Sequence, residues 1–264
     1  MSILPKYWSQ LTSKEFEQLN PTKTVAVWPL GATEQHGPHL PLSVDSDIAG
    51  AVIDECIQHL AEDDPVLFLP IQHVGYSVEH AAFAGTISCS VPTLLAIADD
   101  IGQALKTSGV KKLLLFNAHG GNVALMDLIA RQLRGSYGIL VFSTSWYQLP
   151  IDPHALESFS AHEHRFGVHA GDIETSLMLH IAPERVQMQH AKDFPSSSSL
   201  RSMNYSILGD GRSAKLGWHI QDYNPEGAVG NAANASAVKG KALLASAAKQ
   251  LANLLQEMIL MPPL

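Results

Sequence analysis

Residues 31–47 read GATEQHGPHLPLSVDSD, and within them Glu34, His36, His39, Asp45 and Asp47 crowd together in a chain with only 16% charged residues. Carboxylate oxygens and imidazole nitrogens are the donor set of borderline divalent cations. Glu34 and His36 are two apart, so in an extended segment both side chains point the same way. Gly31 and Gly37 allow sharp turns, and Pro38 and Pro41 stiffen the return path. Asp45 arrives where the next helix begins, a position at which a carboxylate also serves as an N-terminal partner.

Two later stretches carry the same chemistry. NAHGGN (117–122) places His119 after an apolar run. It is not a phosphate loop, because no GK[ST] follows. In HAGDIETSLMLHIAP (169–183), His169 precedes a helix and Glu174 lies inside it, on the face of Leu177 and Met178. An inward carboxylate is costly unless it is paired or bound to a metal. Glu34, His36, Asp45, His119 and Glu174 thus form a carboxylate–imidazole set suited to Zn, Mn or Fe, without thiolates. Taken singly, Asp45 reads as a helix cap, Glu34 and His36 as a solvated loop, His119 as a hydrogen-bonded structural residue, and Glu174 as a partner of a histidinium. Taken together they exceed what one tetrahedral ion with an open position needs, and two ions sharing Asp45 would use them all. His39 reads as a supporting or surface residue and Asp47 as a carboxylate of the helix start.

The elements that must position these groups follow from apolar patterning. Runs at 24–30, 65–71, 111–118 and 138–146 read as buried parallel strands. Helical spacing covers 46–63, 91–109, 122–136, 170–182 and about 232–258, with Gly109 and Gly135 at expected helix C-termini. Alternation of strands and helices implies α/β architecture, with a mostly parallel sheet covered on both faces and ligands outside the carboxyl ends of its strands. Residues 150–169 and 183–230 are irregular, SSSS (196–199) reads as an exposed turn, and residues 1–264 read as one domain with long functional loops.

A formal charge of −8 argues against a nucleic-acid partner. The basic pair Lys111–Lys112 reads as a solvated turn before a strand. No apolar run approaches the ~20 residues that span a bilayer, and MSILPKYWSQ lacks a signal-peptide core. Two cysteines, Cys56 and Cys89, fit a reduced, cytoplasmic setting.

TEQHGPHLPLSVDSD, GYSVEHAAFAGTIS (75–88), NAHGGN and HAGDIETS, in this order, resemble the creatininase family, and NPEGAVGNAANASAVKGK (224–241) is similar to its closing Gly-rich loop and helix. The resemblance spans about residues 24–240. It implies a three-layer α/β/α sandwich, a two-metal site, and hydrolysis of a C–N bond, often in a cyclic amide or formamide. It also implies a small-molecule substrate and a homo-oligomer, commonly a hexamer. Glu34, Asp45 and His119 would hold one ion, and His36, Asp45 and a further carboxylate the other. His169 falls where the family has a catalytic histidine. One departure stands out: creatininase itself has a metal-binding Glu two residues after its histidine, where this chain has Gly121. Relatives with HGGN resemble this chain, and Glu174 of the ETS motif would take that role. Glu79 and His80 resemble the wider family and would bind substrate or orient ligands. The implied chemistry is attack of metal-activated water on an amide carbonyl, with His169 carrying the proton to nitrogen. Trp146, His162, His164 and Trp218 are candidate pocket residues. The alternatives are hydrolysis of a peptide or modified nucleobase on the same scaffold, and a non-catalytic metal-binding oligomer.

Overall fold

The computed structural model describes residues 4–262. Its helices are α1 (Ser13–Phe16), α2 (Val44–Ile57), α3 (Val91–Thr107), α4 (Val123–Tyr137), α5 (Pro153–Glu157), α6 (Ala161–Phe166), α7 (Asp172–Ile181), α8 (Ser197–Asn204), α9 (Ile220–Tyr223) and α10 (Ala237–Leu260). Four strands, β1 (Val25–Leu30), β2 (Val66–Phe68), β3 (Lys112–Asn117) and β4 (Leu140–Ser145), form one parallel sheet in the order β2-β1-β3-β4. A two-stranded antiparallel ribbon, β5 (Asp193–Phe194) and β6 (Gly230–Asn231), lies apart from it.

Strand periodicity divides the core. Val25, Val27, Leu114 and Phe116 face one layer, built with α2, α7 and α10. Ala26, Trp28, Leu113 and Leu115 face the other, built with α3 and α4. This is the expected α/β/α sandwich, and both central strands are buried throughout because helices cover both faces. Since β1 and β3 are neighbours in register, the loops after Leu30 and Asn117 emerge side by side. The first turn of α2 and the first turn of α7 close over that edge.

Three local expectations are corrected. Gly135 lies inside α4, and the left-handed terminus is Gly138 (φ 67°); Gly109 (φ 73°) does follow α3. The serines at 197–199 open helix α8, because Ser196 accepts from the Ser198 amide as its N-cap. Lys112 is not solvated: it is buried, and its ammonium donates to the carbonyls of Met258, Ile259 and Met261 at the end of α10. Cationic groups are favourable there because terminal helix carbonyls lack intrahelical partners. No helix among the described residues is long and apolar enough to cross a membrane.

The approach of α10 to α7 is closest at Gly240, where a Cβ would collide with the Ser176 backbone carbonyl. Gly135, by contrast, has open space at its Cβ position. Gly240→Ala should therefore destabilise the protein by about 1–3 kcal/mol, whereas Gly135→Ala should stabilise it by about 0.5–1 kcal/mol. Chemical denaturation of the two variants checks the pair, and equal effects would contradict this packing.

Candidate metal centre

The two-residue spacing of Glu34 and His36 and the emergence of His119 after β3 bring their side chains to one buried point. His119 Nδ1 lies 3.2 Å from Glu34 Oε1 and 3.3 Å from Asp45 Oδ2. His36 Nε2 lies 3.5 Å from Asp45 Oδ1 and 4.0 Å from Glu174 Oε2. Four groups of three result among the described residues; Asp45 belongs to the triads Glu34–Asp45–His119 and His36–Asp45–Glu174, and Glu34 also groups with His36 and His169 and with Glu79 and His80.

Each imidazole has its other nitrogen tied to a backbone carbonyl. His36 Nδ1 donates to Glu34 O at 3.0 Å, and His119 Nε2 donates to Tyr76 O at 2.8 Å. A carbonyl can only accept, so His36 Nε2 and His119 Nδ1 are the nitrogens that face the triads, offering lone pairs once the imidazoles are deprotonated. This is how an outer hydrogen bond fixes the tautomer of a metal-binding histidine. Glu34 Oε2, His36 Nε2 and Asp45 Oδ2 are buried with no hydrogen-bond partner. Buried acceptors left unpaired are costly, and divalent cations relieve that cost. The donor set, two imidazoles and three carboxylates, fits Zn²⁺ or Mn²⁺.

Charge coupling reinforces the cluster. Burial disfavours the charged form of His36, but Asp45, Glu174 and Glu34 outweigh it and raise the imidazole to about 9. His119 is likewise raised well above its ordinary value by Glu34 and Asp45 against burial. Burial pushes Asp45 up, yet the two imidazoles hold it below the usual carboxylate range. Burial raises Glu174 to about 7. Without a cation the cluster therefore holds protons where a metal would otherwise sit.

His169 adjoins these groups, with Nδ1 3.8 Å from Glu34 Oε1 and Nε2 2.8 Å from Gln35 O. Its ring stands between those of His36 and His80, each centroid 4.2 Å away. Burial and these neighbouring imidazoles hold it well below its ordinary value, so it is neutral. His80 Nε2 lies 3.4 Å from Glu34 Oε1, and Gln35 Nε2 donates to His80 Nδ1 at 2.7 Å. Glu79 lies 3.8 Å from His119 Nε2, and burial raises its carboxyl.

A cavity of about 520 Å³ opens onto this cluster. Trp146, Tyr147, Leu156, Ile173 and Trp218 supply apolar wall, and every charged residue lining it is acidic, apart from any charge carried by its histidines. Glu34, Asp45, Glu79, His80, His119, His169 and Glu174 line the cavity, and His36 is fully buried beside Asp45. Of the further pocket candidates, Trp146, His164 and Trp218 line it. His162 does not: it is exposed and packs on Phe166. His39 is buried rather than at the surface, 2.9 Å from Thr175 Oγ1. A Cβ at Gly121 would collide with Tyr76 O, Glu79 Oε1 and His119 Nε2, so this backbone leaves no room for a glutamate there.

Sequence reasoning passed over Gln35 and Glu163. Gln35 sits between two marked residues, and its amide bonds His80 and the Gly227 carbonyl. Glu163, in a short helix without a motif, is buried at the cavity wall.

A fold of this kind with a buried carboxylate–imidazole cluster at its sheet edge defines a metal-dependent hydrolase. The sequence model described as Creatininase: Creatinine amidohydrolase matches residues 9–255, and the chain belongs to the creatininase family, whose members are metal-dependent amidohydrolases. It is 34% identical over 189 residues to the mycofactocin precursor peptide peptidase of Mycobacterium tuberculosis, covering 68% of this chain and 67% of that protein. It is 31% identical over 204 residues to the creatinine amidohydrolase of Pseudomonas putida, covering 72% and 76%. A solved manganese form of creatininase superposes with a TM-score of 0.77 at 26% identity, covering 96% of this chain and 98% of that one. A Bacteroides fragilis protein described as a putative creatinine amidohydrolase gives 0.79 at 26%, covering 98% of both.

The proton balance makes a pH prediction. His36 is raised from 6.5 to about 9, so its stabilisation of the metal-free fold is complete below pH 6.5 and lost as pH rises through 9. Glu174 is raised from 4.5 to about 7, so its ionisation also costs native stability as pH climbs through that interval. Metal-free protein should lose thermal stability between pH 6.5 and 9, and added Zn²⁺ or Mn²⁺ should remove most of that loss, because metals bind deprotonated ligands. A flat metal-free profile over this range would contradict the coupling.

Proposed function

We propose that this chain hydrolyses the C–N bond of a small cyclic amide or formamide, using two divalent ions. Glu34, Asp45 and His119 would hold one, and His36, Asp45 and Glu174 the other. The observation that carries this reading is the convergence of buried polar atoms around Asp45, three of them without a hydrogen-bond partner, with both flanking imidazoles tied off on their far sides. Divalent ions in such a site supply Lewis-acid polarisation of a carbonyl and lower the pKa of water.

The chain's own groups do the rest. His169 donates Nε2–H to Gln35 O, so Nδ1 carries the free lone pair on the side of Glu34. Held neutral by burial, Nδ1 accepts a proton from the attacking water and passes it to the leaving nitrogen. The new C–O bond replaces the C–N bond, and the products are a carboxylic acid and an amine. Gln35 holds His80 Nδ1, leaving Nε2–H to orient Glu34. Glu79 borders the cavity, within reach of a substrate N–H. Trp146 and Trp218 narrow the water-accessible wall.

A second reading has an observation behind it. A cavity of about 520 Å³ is larger than a single small ring needs, and a relative is named a peptide peptidase. A short peptide amide is therefore the runner-up substrate.

Two variants and one screen test the proposal. His119→Ala should abolish turnover and lower bound metal. His169→Ala should retain metal and lose about 10²–10⁴-fold in kcat. Full activity with normal metal content in His119→Ala would refute the ligand set. A screen of cyclic amides, formamides and short peptides, read by release of carboxylate or amine, separates the two substrate readings.

A further inference from the structure

The turn that joins His169 to α7 is strained. Ala170 is fully buried at φ 53°, the left-handed region that side chains other than glycine seldom occupy. Strain of this kind persists only where the surroundings over-determine it. Three holds are visible. The Val229 amide donates to the His169 carbonyl at 2.7 Å. The Ala170 amide donates to Glu174 Oε2. The third is Glu163.

Glu163 projects from α6 into a slot walled by three glycines. A Cβ at Gly167, Gly171 or Gly230 would strike its carboxylate, so a side chain at any of them would displace it. Its Oε2 accepts from the Asn231 amide at 3.0 Å; burial raises the carboxyl above its ordinary value, and the amides of Asn231, Asp172 and Ile173, the last two at the start of α7, act against that rise. A carboxylate is well placed at a helix N-terminus, where amides lack intrahelical partners. Oε1 is buried with no partner inside hydrogen-bond geometry. One side chain thus ties three segments together: α6, the His169–Ile173 turn, and the 229–231 segment, whose Val229 bridges to His169.

We propose that Glu163 is a positioning residue that clamps the left-handed turn at Ala170, and through it sets His169 Nδ1 and the Glu174 carboxylate against the metal-binding cluster. This rests on the roles given above to His169 and Glu174. Glu163 does not touch the reacting atoms in this account. It fixes the backbone from which both groups hang, and small displacements of such groups are expensive in rate.

The test uses the full chain and three variants. Glu163→Gln turns an amide NH₂ toward backbone donors. It should lower kcat about ten- to a hundredfold, with KM within about twofold. Adding Ala170→Gly to Glu163→Gln should recover much of the lost kcat, because glycine takes φ 53° without strain. A residue that merely stabilised the fold, or one that bound substrate, would not be rescued this way. Glu163→Asp keeps the charge but withdraws it by one methylene, and it is read in the same way if Glu163→Gln does not fold. Hydrogen exchange of metal-free protein supplies a readout without turnover: amides of 169–174 and 229–231 should exchange faster in Glu163→Gln. If the wild type hydrolyses nothing in the screen, the functional reading fails and the exchange result still decides the clamp. Unchanged kcat, a rise in KM matching the fall in kcat, absence of rescue, or unchanged exchange would each overturn it.

Discussion

Asp45 is the constraint on which the rest of the molecule depends. Its carboxylate is buried between His36 and His119, with one oxygen toward each imidazole. A buried carboxylate is costly unless opposite charge or hydrogen bonds meet it, and here an imidazole faces each oxygen. In the metal-free state protons on the imidazoles supply that charge. With cations held as proposed, metal would satisfy the same geometry and the imidazoles would give up their protons. The site is therefore a place where folding, protonation and metal binding draw on the same few atoms.

The scaffold explains why these atoms can meet. β1 and β3 lie side by side at the centre of a parallel sheet, so residues separated by about 85 positions leave the same edge. α2 begins with Asp45 in its first turn, and α7 brings Glu174 down beside it because Gly240 lets α10 pack directly on the α7 backbone. Asp172, in the first turn of α7, is held by Lys239 of α10 at 2.6 Å. Loops leaving the two central strands and the first turns of α2 and α7 thus carry the candidate ligands, while the stretch 146–168, with its short helices α5 and α6, and Trp218 shape the cavity. An all-acidic set of formally charged lining residues disfavours substrates bearing their own carboxylate or phosphate, unless a cation neutralises it.

Much of this was legible in the sequence, for identifiable reasons. Buried parallel strands are near-continuous apolar runs, so β1 and β3 stood out, and polar residues placed just after them had to lie at the sheet edge. That Glu34, His36 and Asp45 would meet was readable because they are crowded between glycines and prolines. Other features had no local signal. Glu163 matters because of glycines at 167, 171 and 230 and an amide at 231, contacts that only tertiary structure creates. Lys112 looked like a surface charge, since nothing near it in sequence reveals that the end of α10 lies overhead. Gly135 was mistaken for a helix end because Gly138, three residues on, carries the same composition signal and the left-handed backbone. His162 and His164 are indistinguishable by type, and the turn of a short helix sends only one of them to the cavity.

The shared role of Asp45 is tested most directly by metal analysis of purified wild type and Asp45→Asn, each loaded with Zn²⁺ or Mn²⁺ and desalted. The account predicts about two equivalents in the wild type and loss of both together in the variant. A variant that kept its full complement, or a wild type that held a single ion, would contradict a carboxylate bridging two sites.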